Sequence, residues 1–129
     1  MSPTLPSETN PRWRHATGRA AEDLAARHLE EQGCRLLARH FACRGGEIDL
    51  IVEDAGVIVF VEVKARRGQR YGDPAEAVGY RKRRRLLCAA RTFLRRKRWS
   101  TRPCRFDLCR VDLDSGKATV GWIRDAFRG

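Results

Sequence analysis

The chain has 129 residues, with 27 Lys and Arg against 16 Asp and Glu, a formal net charge of +11, and 42% hydrophobic residues. That length fits one domain and that apolar share fills one core, which excludes wholesale disorder and a second full domain. The longest apolar run, from Ala55 to Val61, is seven residues against the ~18 of a spanning helix, so no membrane crossing is expected. The arginine-rich stretch over 81–98 has no bulky Trp, Phe or Leu wall beyond what a core needs, so no membrane-surface partner is expected either.

Residues 1–14 have no cationic start followed by an apolar stretch, and so read as a disordered lead-in rather than a signal peptide or anchor. Residues 15–129 make the single domain. Thr17 is placed to cap a helix over 17–32, in which Ala21, Leu24, Ala25, His28 and Leu29 recur at helical spacing and Gly33 stands at the C′ position. Residues 34–41 read as a short, poorly alternating strand. After the turn at Arg44, Gly45 and Gly46, β-branched runs over 47–52 and 57–64 predict a hairpin around a four-residue loop from Glu53 to Gly56.

A polar loop over 65–72 follows. Asp73 as N-cap, Pro74 at the first helical position and Glu76 as the capping-box return then open a helix with Leu86, Leu87, Ala90, Phe93 and Leu94 as its apolar face. It either continues through Gly79 or breaks there, and Pro103 stops it. Strands over 104–113 and 117 to about 123 complete the order αβββαββ, an α/β fold with a central mixed sheet and flanking helices.

Cys34, Cys43, Cys88, Cys104 and Cys109 are odd in number and lack Cys-x-x-Cys spacing. They read as reduced thiols of a cytoplasmic protein, filling buried apolar positions. Cys34, His40 and Cys43 offer three zinc donors without a nearby fourth.

From Arg81 to Arg98 there are ten basic residues and no acidic one, and Lys64, Arg66, Arg67 and Arg70 add four more. Such a face predicts a polyanion partner, a nucleic acid held by salt-dependent, sequence-independent contacts; the alternative is a solvated arginine-rich face. Lys82 and Arg85 are phosphate-contact candidates, and Tyr71 is a candidate for stacking on an unpaired base. Trp13, Trp99 and Trp122 read as packing or capping residues.

Alternation puts Phe60, Glu62 and Lys64 on one strand face and Glu47, Asp49 and Ile51 on one face of the partner strand. If Val52 pairs with Val57, Asp49 faces Phe60, Glu47 faces Glu62, and Asp49 and Glu62 are diagonal neighbours at roughly 7 Å. Opposed carboxylates in apolar strands need a compensating cation, a basic side chain or solvent. Hard oxygen donors favour Mg²⁺ or Mn²⁺; the alternative is an edge hairpin with a water-facing acidic side.

Asp49 followed by Glu62-Val63-Lys64 resembles the D…(E/D)-x-K signature of restriction-endonuclease-like nucleases. Gly18, Glu22, Ala25, Leu29 and Gly33, then Gly46-Glu-Ile-Asp-Leu-Ile51, Phe60-Val-Glu-Val-Lys64 with Arg66, Gly72-x-Pro74-x-Glu76, and Arg105-Phe-Asp107 resemble, over roughly residues 15–113, the YraN-like bacterial family of predicted endonucleases. That family is distantly similar to archaeal Holliday-junction resolvases. The resemblance implies a restriction-endonuclease-like fold and metal-dependent hydrolysis of branched or structured DNA. It makes Asp49 and Glu62 metal ligands with the Val63 carbonyl as a third, Lys64 the group that positions or helps deprotonate water, and Glu22 an extra catalytic carboxylate. The alternative for Glu22 is an exposed first-turn acid that stabilises the helix dipole. A resolvase would further be a two-fold homodimer. His40 departs from the Asn found in many relatives. A nucleic-acid-binding module that keeps the fold without cutting is the competing reading.

Overall fold

The computed structural model describes residues 11–66, 79–114 and 117–128. The elements are α1 (Pro11–Glu31), β1 (Arg35–Cys43), β2 (Gly46–Asp54), β3 (Val57–Arg66), α2 (Tyr80–Lys97), β4 (Cys104–Asp114) and β5 (Lys117–Phe127). They build a five-stranded mixed sheet in the order β1-β2-β3-β4-β5, antiparallel except for the β3–β4 pair. The α2 segment crosses between the two parallel strands, the connection such a pair requires.

Alternation sorts the sheet into two cores. Leu50, Val52, Val59, Val61, Cys109 and Val111 face Ala21, Ala25, Ala26 and Leu29 of α1. Ile51, Ile58, Phe60, Phe106 and Leu108 face Leu86, Ala89, Ala90, Phe93 and Leu94 of α2. Small alanines let both helices approach closely, and Phe60 packs on Phe106 and Phe93 with centroids 5.4 and 6.2 Å apart.

Several boundaries differ from those predicted. The first helix starts at Pro11, so Thr17 lies inside it and is not its cap. Its end is as anticipated: Gly33 adopts φ 98°, its N–H donates to Glu30 O and that of Cys34 to Leu29 O, a Schellman closure. The poor alternation of β1 has a cause in a bulge, since Leu36 pairs with Val52 and Ala38 with Ile51, leaving Leu37 extra.

The α2 helix begins at Tyr80 with Gly79 as a cap lacking a side-chain bond, and ends before Arg98, which is left-handed at φ 60°. The termination thus precedes Pro103, which instead leads into β4. The proposed start at Asp73, Pro74 and Glu76 lies outside the described residues. On β5 the strand continues past Ile123 to Phe127, where Phe127 stacks on Phe106 at 5.1 Å.

The hairpin loop is two residues, not four. Asp54 pairs with Val57, and Ala55 and Gly56 turn the chain with φ 49° and 88°. The register accordingly moves by two residues from the one predicted: Val52 faces Val59, Ile51 faces Phe60 and Leu50 faces Val61. Nor is the acidic strand at an edge, for β3 lies in the middle of the sheet between β2 and β4.

Of the cysteines, Cys34 and Cys109 are buried as predicted, but Cys88 and Cys104 are exposed. Cys88 sits on α2 beside Arg84, Arg91 and Arg95 with its Sγ against Gly45 of the β1–β2 turn, and Cys104 is at the start of β4.

Candidate functional site

The β2–β3 ladder stops at Leu50 and Val61, and one residue further on Asp49 stands opposite Glu62. The two carboxylates are thus direct neighbours within hydrogen-bonding reach, not diagonal ones. Ile48 and Ile51, three apart, both lie in the α2-side core, so strict alternation breaks at Asp49 between them. There the Asp49 side chain turns to the rim of β3 and its Oδ2 accepts the Val63 N–H at 2.9 Å. A carboxylate therefore takes the place of the missing ladder rung. The Val63 carbonyl leaves its strand on the same side as its N–H, beyond the last β2–β3 pair.

Glu62 continues the row of Ile58 and Phe60 under α2 and is 4% exposed. Burial, then the charge and hydrogen bond of Asp49, push its pKa up to about 7 against the opposing pull of Lys82. The Lys82 ammonium, carried by the first turn of α2, pairs with Glu62 Oε2. Burial disfavours the charge on Lys82, yet its contact with Glu62 outweighs this and its pKa is raised. Lys64, two residues along β3, holds its Nζ 3.9 Å from the same oxygen. Burial and then the neighbouring Lys82 charge lower the Lys64 pKa.

Glu22 reaches the group from α1, on the other side of the sheet. It is 7% exposed, and burial followed by the charge of Asp49 raises its pKa to about 7, with Arg39 opposing. His40 Nε2 lies 2.5 Å from Glu22 Oε1, out of line for a hydrogen bond, and that buried oxygen has no hydrogen-bond partner among the described residues. His40 itself is left-handed at φ 52°, a conformation that Asn adopts more readily than most residues.

At the mouth, exposed Glu47 faces Arg81, Lys82, Arg85 and Leu86 across a cleft of about 330 Å³. This cleft depends on a close approach, because a Cβ on Gly46 would strike the Arg85 carbonyl. All ten basic residues from Arg81 to Arg98 are exposed. Arg66 is half-buried at the end of β3, with Nη1 3.2 Å from Ala65 O. Arg67, Arg70 and Tyr71 lie outside the described residues.

The donor set is two carboxylates and a peptide carbonyl, all hard oxygens, with the ammonium groups of Lys64 and Lys82 beside Glu62. Among the described residues no group of three or more His, Cys, Asp or Glu forms a ready cage. Mg²⁺ and Mn²⁺ suit such a partial set, because Mg²⁺ in particular takes one or two carboxylates and retains water. By donor chemistry the paired carboxylates and the Val63 carbonyl at the same rim fit such an ion.

Asp107, in the Arg105-Phe-Asp107 run, has a role that alternation and spacing did not reveal. Asp107 is fully buried at a bulge in the β4–β5 pairing. It accepts from Arg105 Nε at 3.0 Å, Trp122 Nε1 at 2.8 Å and the Asp125 N–H at 2.9 Å, while Arg105 also holds Asp54 at 2.7 Å. The signal was an acid in an apolar strand with Arg two residues before it. Trp122 caps this acid and Trp99 packs edge-on against Phe93; the Trp13 side chain lies outside what is described.

The class defined by these features is a small mixed α/β domain with an acidic pair sunk beside a cationic helix. Residues 21–111 match the Uncharacterised protein family UPF0102, and the chain belongs to that family, the YraN-like one. It is 44% identical over 113 residues to a UPF0102 protein of Pseudomonas aeruginosa LESB58, covering 85% of this chain and 90% of the relative. A UPF0102 protein of Stutzerimonas stutzeri A1501 is 43% identical, with 87% and 94% covered. No helix among the described residues is long and apolar enough to cross a membrane.

Proposed function

We propose that this protein is a metal-dependent endonuclease with a restriction-endonuclease-like fold, hydrolysing phosphodiester bonds of branched or structured DNA. The observation that carries the reading is the direct opposition of Asp49 and Glu62, with Lys64 beside them, at the point where β2 and β3 part. Asp49, Glu62 and the Val63 carbonyl would hold Mg²⁺ or Mn²⁺, whose chemistry is to activate water and neutralise charge on the phosphorus and leaving oxygen.

The chain's own groups supply the rest. Lys64, its proton loosened by burial and by Lys82, orients water and helps to remove its proton. Glu22 adds a carboxylate from α1 that bears on Asp49. Lys82, Arg85 and Arg66 hold flanking phosphates, joined by Arg67, Arg70 and Tyr71 of the following segment. A two-fold homodimer would offer two such sites to the symmetric strands of a junction.

One observation favours a second reading, a nucleic-acid-binding module that does not cut: Lys82 already neutralises Glu62 without any metal. A cleavage assay on four-way junction, flap, single-stranded and linear DNA with Mn²⁺, Mg²⁺ or EDTA separates the two. Metal-dependent cutting that is lost in Asp49→Ala and Glu62→Gln is expected. Tight, salt-sensitive binding with no cutting of any substrate would replace the nuclease by the binding module.

A further inference from the structure

We infer that Lys82 is a resident counter-cation of the acidic pair, which a divalent ion must displace, so that metal loading and polyanion binding promote one another. The inference rests on the metal-site reading above and assigns Lys82 a positioning role toward it.

Two ammonium groups approach Glu62, and they differ in their freedom. Lys64 is on the central strand, its side chain 23% exposed and 3.9 Å away. Lys82 reaches in from the first turn of α2 to make the close contact, with 45% of its side chain in solvent. Its flexible four-carbon stem pivots without disturbing the helix. Lys82 itself lines the adjoining cleft with Arg81, Arg85 and Glu47, so a turn of its stem moves the ammonium from Glu62 toward that cleft. That cleft is basic and open, a place for a backbone phosphate.

An ammonium and a divalent ion held on the one Glu62 carboxylate repel each other, and the ion carries the larger charge. An ion bound there repels Lys82 into the cleft, and a phosphate in the cleft draws Lys82 off Glu62. Coupling of this kind is reciprocal: whatever factor DNA adds to metal affinity, metal adds to DNA affinity.

The test measures Mn²⁺ affinity from the electron paramagnetic resonance signal of free Mn²⁺, in the wild type, Lys82→Met, Lys82→Gln and Glu62→Gln, with and without a short DNA duplex at low salt. Removal of the ammonium should tighten Mn²⁺ binding about tenfold in both Lys82 variants, within the usual range of site-to-site coupling. Duplex should tighten it in the wild type and much less in the variants. A general structural defect weakens metal binding and so cannot mimic the gain. Unchanged or weaker Mn²⁺ binding in both Lys82 variants, with wild-type binding intact and lost in Glu62→Gln, overturns the inference and leaves the metal site standing. No Mn²⁺ binding by the wild type or the Lys82 variants overturns both.

Discussion

Glu62 should make the metal-free protein less stable as pH rises, and Glu62→Gln should relieve that loss. Its pKa is held at about 7 instead of the ordinary 4.5, by burial first and by Asp49 second. The folded state thus binds a proton more tightly than the unfolded chain. The resulting stabilisation is full below the unfolded value and disappears as pH rises through about 7. At about 1.36 kcal/mol per pH unit, the loss attributable to Glu62 between pH 5 and pH 8 is roughly 2 kcal/mol. Glutamine mimics the protonated acid in size and hydrogen bonding but cannot ionise. Glu22, also near 7, titrates in both proteins and leaves the difference between them unaffected to first order. Urea unfolding of wild type and variant in EDTA at pH 5 and pH 8 gives the comparison. The variant should gain roughly 2 kcal/mol on the wild type between the two pH values, and Mn²⁺ at pH 8 should restore the wild type but not the variant. A stability difference that does not change with pH, or a variant that fares worse at pH 8, would refute the account of Glu62 as a strained buried acid.

Asp107→Ala should cost about 3 kcal/mol, the low end for breaking a buried charged network, because Arg105 keeps Asp54 while the Trp122 and Asp125 N–H groups lose their acceptor. Denaturant midpoints at unchanged slope read this out, and a cost under about 1 kcal/mol would show that the network is not structural. DNA affinity should fall steeply with salt, with a log–log slope of −4 or steeper if about five phosphates meet the α2 face at ~0.9 per contact, and a flat titration would remove that face from the interface.

Much of the architecture was legible because apolar periodicity dictates it. The helical spacing of Ala21, Ala25 and Leu29, the C′ Gly33 and the β-branched runs on either side of Gly56 all appear where the sequence puts them. The residues of the acidic pair were legible as types, but not as a geometry. Alternation places Asp49 on the face of Ile51, whereas the real feature is a break in alternation that aims its carboxylate at the Val63 N–H. Lys82 was legible, with Arg85, as a phosphate-contact candidate but not as the partner of Glu62, because nothing in a linear sequence says which turn of α2 lies over Glu62. That is set by the contact of Gly46 with the Arg85 carbonyl, a tertiary approach with no local signature.

The register shows how such a difference arises and why it matters to the site. Glu53 and Asp54 are polar, so a composition-based reading assigns them to the loop. In the fold Glu53 is held by Arg35 at 2.5 Å and Arg102 at 2.6 Å, and Asp54 by Arg105 at 2.7 Å. These arginines, from β1, the approach to β4, and β4 itself, let two acids remain in strand conformation, and the ladder lengthens until only Ala55 and Gly56 are left to turn. A shift of two residues preserves which face each side chain takes, since strand periodicity is two. It changes the partner: Glu62 now opposes Asp49 instead of Glu47. The two-residue turn at Ala55 and Gly56, flanked by these ion pairs, therefore sets the register in which the two carboxylates meet.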